Sequence, residues 1–284
     1  MTTESANILE ILHGAYYQLT ASERRIADYV LANYSKVQFM SISELAEASA
    51  VSEATISRFC KSVGIRSFNQ FKIELAAYMA SNPNAADSGH YDPDNLKDRI
   101  RKSSRLIQEA VSQTIEITDP SQIHIAVDIL EKADHIMCIG SGGSMVIATE
   151  CAHLFHLASH KFFEVSDSHR QITVAATMDS RDAIILFSYS GATTDGIDIL
   201  QLAKEQGCKT ILITRFHKSP AAKLADVVLC CGSSEGPYQS GSIPAAVAQL
   251  FVIDILFQEY CHRNRDTCMD HIHRVANALS AKHI

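Results

Sequence analysis

The sequence lacks a long apolar run, an excess of basic residues and a regular cysteine pattern. No run approaches the roughly 18 apolar residues of a membrane span. The first residues also lack the basic and apolar regions of a signal peptide, so we expect a cytoplasmic protein with no membrane partner. The formal net charge of −7 argues against a globally basic nucleic-acid coat but leaves a local patch open. The scattered cysteines predict reduced thiols in a packed core, above all those in or beside apolar runs: Cys138, Cys208, Cys230 and Cys231.

Motifs for nucleotide cofactors and metals are missing too. The glycine loop at 140–145 has Met145 where a dinucleotide-binding loop needs its third glycine, and no acidic residue ends the next strand. No Gly-x-x-x-x-Gly-Lys-Ser/Thr loop occurs either, so we expect no cofactor. We also expect no metal site near the C-terminus, because the candidate ligands lack metal-binding spacing: Cys261, His262, Cys268, His271 and His273.

The 284 residues divide into a helical part and an alternating part. Residues 1–80 show only helical periodicity, 81–95 are polar with Pro and Gly and predict a linker, and 96–284 form the second domain. In that domain helical patterns alternate with strand-like runs at 136–139, 161–165, 183–187, 210–213 and 227–231. Further helices are predicted at 96–117, 120–133, 243–260 and 270–279. The predicted fold class is α + α/β, an all-α bundle followed by a doubly wound parallel sheet.

The most informative stretch covers residues 183–197, where a buried strand runs into hydroxyls, a glycine and a helix. Hydroxyls, free backbone N–H groups and a helix N-terminus together favour an anion such as phosphate. The glycine loop after the strand at 136–139 is a second turn of this kind. In open α/β sheets, ligands bind beyond the carboxyl ends of the strands. We therefore predict a phosphate-binding crevice lined by Gly142, Ser144, Ser188, Ser190, Gly191 and Thr193.

The first 80 residues begin their helices with capping boxes. Thr20–Glu23, Ser41–Glu44 and Ser67–Gln70 each fit that pattern, and an opening helix is expected at 7–17. These four helix starts predict a small bundle.

A helix-turn-helix is predicted inside this bundle, with a first helix ending near Ser49 and a second capped by Ser52. Ile56 and Phe59 would face the core, and Ala50 occupies a turn position where glycine is usual. Four basic residues against one acid between positions 52 and 72 give a local charge of +3, which suits phosphate contact. The candidate DNA contacts are Ser52, Glu53, Thr55, Ser57, Arg58 and Lys61. The alternative is an ordinary helical hairpin with a solvated charged face.

These motifs resemble a known family. The stretches 140–144 and 188–193 look like the signature loops of the sugar isomerase (SIS) domain, and 52–59, with 64–65 and Phe68, resembles the N-terminal domain of RpiR transcriptional regulators. The run at 248–257 is similar to that family's C-terminal helix. The resemblance implies a DNA-binding regulator of carbohydrate metabolism whose SIS domain senses a phosphosugar through Ser144, Ser188, Ser190 and Thr193. Gln239 stands where the family commonly has an arginine shortly before Ser240.

An enzyme remains the alternative, because SIS domains also occur in aldose–ketose isomerases. Isomerisation needs a general base and a group that opens the sugar ring. Candidate side chains exist, although a sensor could use them to bind hydroxyl groups: Glu150, His153, His156, Asp167, His169 and Glu235. Because a DNA-binding head is attached, we expect a regulator that performs no catalysis.

The proposed DNA-binding role predicts that subunits pair. A two-half-site operator needs two heads at a fixed spacing, about 34–36 Å for one helical turn. The polar linker is too flexible to set it. By resemblance, SIS domains are expected to pair, so we predict a homodimer or homotetramer, with the helix at 96–117 connecting sensor and head. The apolar stripe around Ala248 and Phe251 is either core or subunit interface.

Overall fold

The computed structural model describes residues 8–16, 19–81, 94–232 and 242–280. Contacts between residues divide the chain into two compact units, one running to Arg101 and the other starting at Lys102. Most of the predicted linker, at 82–93, lies outside the described residues, as do the predicted ligand candidates Glu235 and Gln239.

The first unit is the predicted helical bundle. Its core contains side chains with no exposed surface, among them Ile26, Leu45, Ile56, Phe59 and Phe71. Both reciprocal bonds of a capping box form at Thr20 and at Ser41, whereas Gln70 donates its side chain to Glu74. The helices are α1 (Ile8–Ala15), α2 (Ala21–Val37), α3 (Ile42–Ala48), α4 (Glu53–Ser62) and α5 (Phe68–Ser81).

The turn between α3 and α4 has the backbone that its sequence suggests. Ala50 adopts φ +52°, the left-handed region where a Cβ atom is unfavourable. The amide of Val51 donates to the carbonyl of Ala46 at 2.9 Å and closes the turn. Ser52 then caps α4 through the amide of Thr55. The helix-turn-helix geometry is therefore present, with local strain at Ala50.

The second unit contains the alternating strands and helices. The helix α6 (Leu96–Ile117) leads into it from the first unit. The strands are β1 (Ile136–Gly140), β2 (Phe162–Glu164), β3 (Ala183–Phe187), β4 (Lys209–Thr214) and β5 (Val227–Cys230). The remaining helices are α7 (Pro120–Lys132), α8 (Gly143–His156), α9 (Ser168–Ala175), α10 (Thr194–Gln206), α11 (Ile243–Arg263) and α12 (Arg265–Ser280), with a short 3₁₀ helix at Ala221–Lys223.

The sheet is parallel, with strand order β2-β1-β3-β4-β5. Residues of α7, α8 and α11 pack in a core on one face, and residues of α9 and α10 pack in a core on the other. This doubly wound arrangement confirms the predicted fold class. Its strand order reverses between β1 and β3, where such sheets open a crevice.

Several predicted boundaries differ from those observed. The second strand pairs with β1 only over Phe162–Glu164, so the predicted run at 161–165 is too long. The final helix begins at Arg265, five residues before the predicted start, because the chain turns out of α11 at Asn264. Among the described residues, α11 has the length and apolar composition of a membrane span, yet Ala248, Val252 and Leu256 are buried in the sheet core.

Candidate functional site

The two loops predicted to bind phosphate leave neighbouring strands at the same edge of the sheet. Gly140, the last residue of β1, pairs with Phe187, the last residue of β3. The chain then enters α8 on one face of the sheet and α10 on the other. Both loops therefore leave the sheet where the strand order reverses, the place at which doubly wound sheets bind ligands.

The loop after β1 depends on two glycines and a buried amide. A Cβ atom on Gly140 would lie 2.7 Å from the backbone carbon of Ser144, so only glycine allows this tight turn. Gly142 adopts φ +57° with open space around it. The side chain of Gln171, only 2% exposed, donates to the carbonyls of Gly140 at 3.1 Å and Val165 at 2.8 Å. Gln171 thus holds the loop, a role that no sequence motif indicates.

The loop after β3 is held by the segment that follows β4. The hydroxyl of Thr214 donates to the carbonyl of Tyr189 at 3.1 Å, and the amide of Ala221 donates to the carbonyl of Gly191 at 2.9 Å. Gly191 has φ +59°, and a Cβ atom there would lie 2.0 Å from Oγ of Ser219. Within the loop, the amide of Ala192 donates to Oγ of Ser190 at 3.2 Å. Its conformation is therefore fixed by close packing.

The caps of α8 and α10 differ from those of other helices. A side chain accepts a hydrogen bond from a first-turn amide at the starts of α2, α3, α4, α7, α9 and α11. At α8 the cap residue is Gly142 and at α10 it is Thr193, and neither forms a side-chain cap. First-turn amides of both helices thus lack a side-chain cap, and in α8 those of Ser144 and Met145 donate to the carbonyls of Ser141 and Gly142 at 3.2 and 3.0 Å. Helix starts without side-chain caps can bind an anion.

The predicted ligand residues differ in exposure. Ser188 and Gly191 are buried and Ser144 is half-buried, whereas Gly142, Ser190 and Thr193 are exposed at the crevice edge. The candidates for acid–base chemistry lie mostly on surfaces. Glu150, His153 and His156 are exposed on α8, Asp167 caps α9 through the amide of Arg170, and His169 is exposed on α9.

The outward surface of α4 differs in part from the predicted one. Ser52, Ser57, Arg58 and Lys61 are exposed, as is Ala54, which is not among the predicted DNA contacts. Thr55, expected to point outward or toward the helix N-terminus, lies in the first turn of α4 and is buried, and its role as a DNA contact stays a prediction. It pairs with the Ser52 hydroxyl at 2.9 Å and accepts a hydrogen bond from the Arg58 guanidinium at 3.2 Å. Thr55 therefore supports Arg58.

Glu53 serves the packing of the two helices. Its carboxylate accepts a hydrogen bond at 2.8 Å from the hydroxyl of Ser43 on α3. Its side chain is half-buried, because this bond turns it toward α3. We therefore assign Glu53 to the joint between α3 and α4.

A buried carboxylate ties α2 to the end of α4. Glu23 accepts hydrogen bonds from the hydroxyl of Ser62 at 2.7 Å and from the hydroxyl and amide of Thr20 at 2.7 and 2.9 Å. The bond from Ser62 and those from Thr20, with the charge of Arg58, hold the pKa of Glu23 below its ordinary value of 4.5. The ionised carboxylate is therefore the form that stabilises the bundle.

We expect Glu23→Gln to destabilise the helical unit by about 2 kcal/mol at neutral pH, since charged hydrogen bonds are lost. Because folding lowers the pKa, the wild-type advantage is full above pH 4.5 and shrinks as the pH falls below it. Amide hydrogen exchange of α2 and α4 at several pH values measures this difference, with Glu47→Gln on the exposed face of α3 as the control. A constant difference down to the acid range would contradict this role.

The cysteines are free thiols. Cys138, Cys208 and Cys231 are buried and Cys230 is half-buried, and burial raises the pKa of Cys208 to about 12. In the described part of the chain, no three His, Cys, Asp or Glu side chains are close enough to hold a metal ion.

Comparisons with known proteins match both units. Residues 6–82 match the helix-turn-helix domain of the rpiR family, and residues 129–258 match the SIS domain. An uncharacterised HTH-type transcriptional regulator from Caldanaerobacter subterraneus is 31% identical over 278 residues, which cover 98% of this chain and 99% of the relative. The HTH-type transcriptional regulator HexR from Pseudomonas aeruginosa is 28% identical over 273 residues, 96% of this chain and 95% of HexR. The structure of the Vibrio vulnificus NanR protein complexed with ManNAc-6P has a TM-score of 0.87 at 24% identity, covering 97% of this chain and 98% of NanR.

Proposed function

The chain belongs to the rpiR family of helix-turn-helix transcriptional regulators with a SIS domain, and on this premise we propose how it works. Its α4 helix reads operator DNA, and a phosphorylated sugar bound between the loops after β1 and β3 changes operator affinity. The relatives are named as transcriptional regulators, which supports the assignment to transcription.

The observation that carries the effector proposal is the pair of helix starts without side-chain caps. The helices α8 and α10 begin just beyond the paired ends of β1 and β3, on opposite faces of the sheet, and hydroxyls of Ser144, Ser188, Ser190 and Thr193 lie on the same two loops. A phosphate group carries several acceptor oxygens and a negative charge, so it suits both the amides and the helix dipoles. NanR, which shares this fold, binds a sugar phosphate, which supports that ligand class.

The DNA proposal rests on the exposed face of α4. Arg58 would contact a base edge in the major groove and Lys61 a phosphate, with Ser52, Ala54 and Ser57 along the same surface.

We propose that the protein acts in the cytoplasm as a homodimer or homotetramer, since a two-half-site operator needs paired DNA-binding units. Sedimentation of the full chain with and without operator DNA tests the assembly.

We further propose that the sugar phosphate is bound without being converted. Glu150 and His153 are exposed on the surface of α8, where carboxylates and imidazoles are mostly solvated. Incubation with aldose phosphates, followed by assay for ketose phosphates, tests this point. Steady formation of a ketose product would favour the isomerase alternative.

Thermal unfolding against a panel of aldose and ketose phosphates tests the effector site. We expect stabilisation by one class of sugar phosphate and none by the same sugar without phosphate, since the proposed site binds the anion.

Ser190→Ala removes a loop hydroxyl and should weaken sugar-phosphate binding about tenfold while leaving ligand-free operator binding intact.

The matched control for Ser190→Ala is Thr177→Ala, which removes an exposed hydroxyl bonded to the carbonyl of Val174. Equal ligand affinities in Ser190→Ala and wild type would contradict the phosphate-site assignment. Loss of ligand-free operator binding in Ser190→Ala would show instead that the loop is structural.

A further inference from the structure

We infer that a buried chain of hydrogen bonds connects the loop after β3 with α6. It runs through Tyr189, Thr214, Cys231, Gly232 and Thr114, and we call it the relay. The inference rests on the proposed function, because it assigns to the relay the task of making the position of α6 depend on the occupied crevice.

The attachment of α6 within the second unit is narrow. The structure describes every residue of this 22-residue helix, and the buried ones are Ala110 and Thr114, four positions apart on one face. Most of the remaining side chains are exposed, including Ile100 and Ile115. The contacts at Ala110 and Thr114 therefore determine where α6 sits against this unit.

The contact at Thr114 is made by Gly232, two residues beyond the end of β5. The amide of Gly232 donates to the hydroxyl of Thr114 at 2.8 Å, and that hydroxyl donates to the carbonyl of Ala110 at 2.7 Å. A Cβ atom on Gly232 would lie 2.6 Å from the amide nitrogen of Thr114 and 2.8 Å from the carbonyl oxygen of Ala110. The backbone of Gly232 therefore rests directly on α6, and a side chain there would force the two apart.

The segment just after β5 is also hydrogen-bonded to β4, and β4 is hydrogen-bonded to the loop after β3. The amide of Cys231 donates to the carbonyl of Thr214 at 2.9 Å. The hydroxyl of Thr214 donates to the carbonyl of Tyr189, between Ser188 and Ser190, at 3.1 Å. Thr114, Thr214 and Cys231 have no exposed surface, and Tyr189 is half-buried.

Through these contacts, binding of a phosphate in the crevice can change the position of α6. A phosphate that draws the amides of the loop toward itself also displaces the carbonyl of Tyr189, and each later bond of the relay must move or break. An effector shifts the equilibrium between two arrangements of the relay only if it binds one of them more tightly than the other. The chain passes from the first unit to the second through α6. A change in the position of this helix can therefore be transmitted to the DNA-binding unit.

Thr114→Val tests the relay, because valine keeps the buried shape and removes the hydroxyl. The control is Thr118→Val, just beyond the end of α6, where the hydroxyl donates to the carbonyl of Thr114 at 2.6 Å and makes no bond of the relay. Thr114→Ser, which keeps the hydroxyl, should restore the wild-type behaviour. Operator affinity of the full chain is measured on a duplex selected by the wild type, with and without each of ManNAc-6P, glucose 6-phosphate, fructose 6-phosphate and ribose 5-phosphate.

We expect the effector-induced change in operator affinity to shrink about fivefold in Thr114→Val, as loss of one buried hydrogen bond implies, with ligand-free affinity within about twofold of wild type. Amide exchange at Gly232 should become faster in the same variant, which reports the lost bond independently of DNA. If the effector-induced change in operator affinity of Thr114→Val equals that of the wild type and of Thr118→Val, the relay is wrong and the proposed function is unaffected. If none of these sugar phosphates changes the operator affinity of the wild type, the proposed function fails and the relay fails with it.

Discussion

Replacing Arg58 with alanine should weaken specific operator binding by about 10- to 100-fold and relax the base preference at one position, as loss of a bidentate base contact does. Arg58 is exposed on α4, and its guanidinium is held by the hydroxyl of buried Thr55 at 3.2 Å. This bond restricts the side chain before DNA arrives, so less conformational entropy is lost on binding. Fluorescence anisotropy on the selected operator, and on duplexes altered at single positions, measures both effects.

Lys61→Ala is the matched comparison, because Lys61 is exposed one turn further along the same helix. A lysine that contacts phosphate carries no sequence information, so its loss should weaken all duplexes alike and reduce the salt slope by about one. The two variants therefore differ in kind as well as in magnitude. Unchanged operator binding in both, across salt concentrations, would contradict the placement of α4 in the groove.

Local patterns in the sequence predicted much of the helical unit. The capping boxes at Thr20 and Ser41, the cap at Ser52 and the strained turn at Ala50 depend on residues a few positions apart, and all are present. The burial of Thr55 was not predicted. Its position in the first turn of α4 does not reveal that its hydroxyl pairs with Ser52 and its side chain is buried.

The second unit shows the same division between local and distant information. Apolar runs followed by glycine and hydroxyl residues predicted the strands and both loops, because these features are continuous in the chain. The support of the loops could not be predicted, since Gln171 bonds Gly140 across 31 residues and Thr114 bonds Gly232 across 118. A buried glutamine or threonine in a helix has no sequence signature. Its partner is fixed only by the strand order and by how the helices cover the sheet.

Gly191→Ala should abolish the effector response, with an expected loss of sugar-phosphate affinity of about a hundredfold. The backbone at φ +59° disfavours any Cβ atom, and the added atom would lie 2.0 Å from Oγ of Ser219 and 3.2 Å from the hydroxyl of Thr214. Ser219 is fully buried and its hydroxyl accepts from the amide of Ala222, so it has little room to yield. The loop must move instead, which takes its amides away from the phosphate, at about 1.5–3 kcal/mol per charged hydrogen bond lost. Titration calorimetry with the best-binding sugar phosphate measures the affinity.

The comparison that isolates the collision is Gly207→Ala at the other end of α10. Gly207 has a similar positive φ, +75°, but a Cβ atom there would meet only the Cβ atom of Ser180, at an ordinary 3.8 Å. Both variants carry the strain of a left-handed alanine, about 1 kcal/mol, so Gly207→Ala should lose about that much stability and Gly191→Ala more. Only Gly191→Ala adds a collision inside the phosphate loop. Its ligand affinity should therefore fall far below that of Gly207→Ala. Equal ligand affinities in the two glycine variants would mean that the loop after β3 does not hold the phosphate.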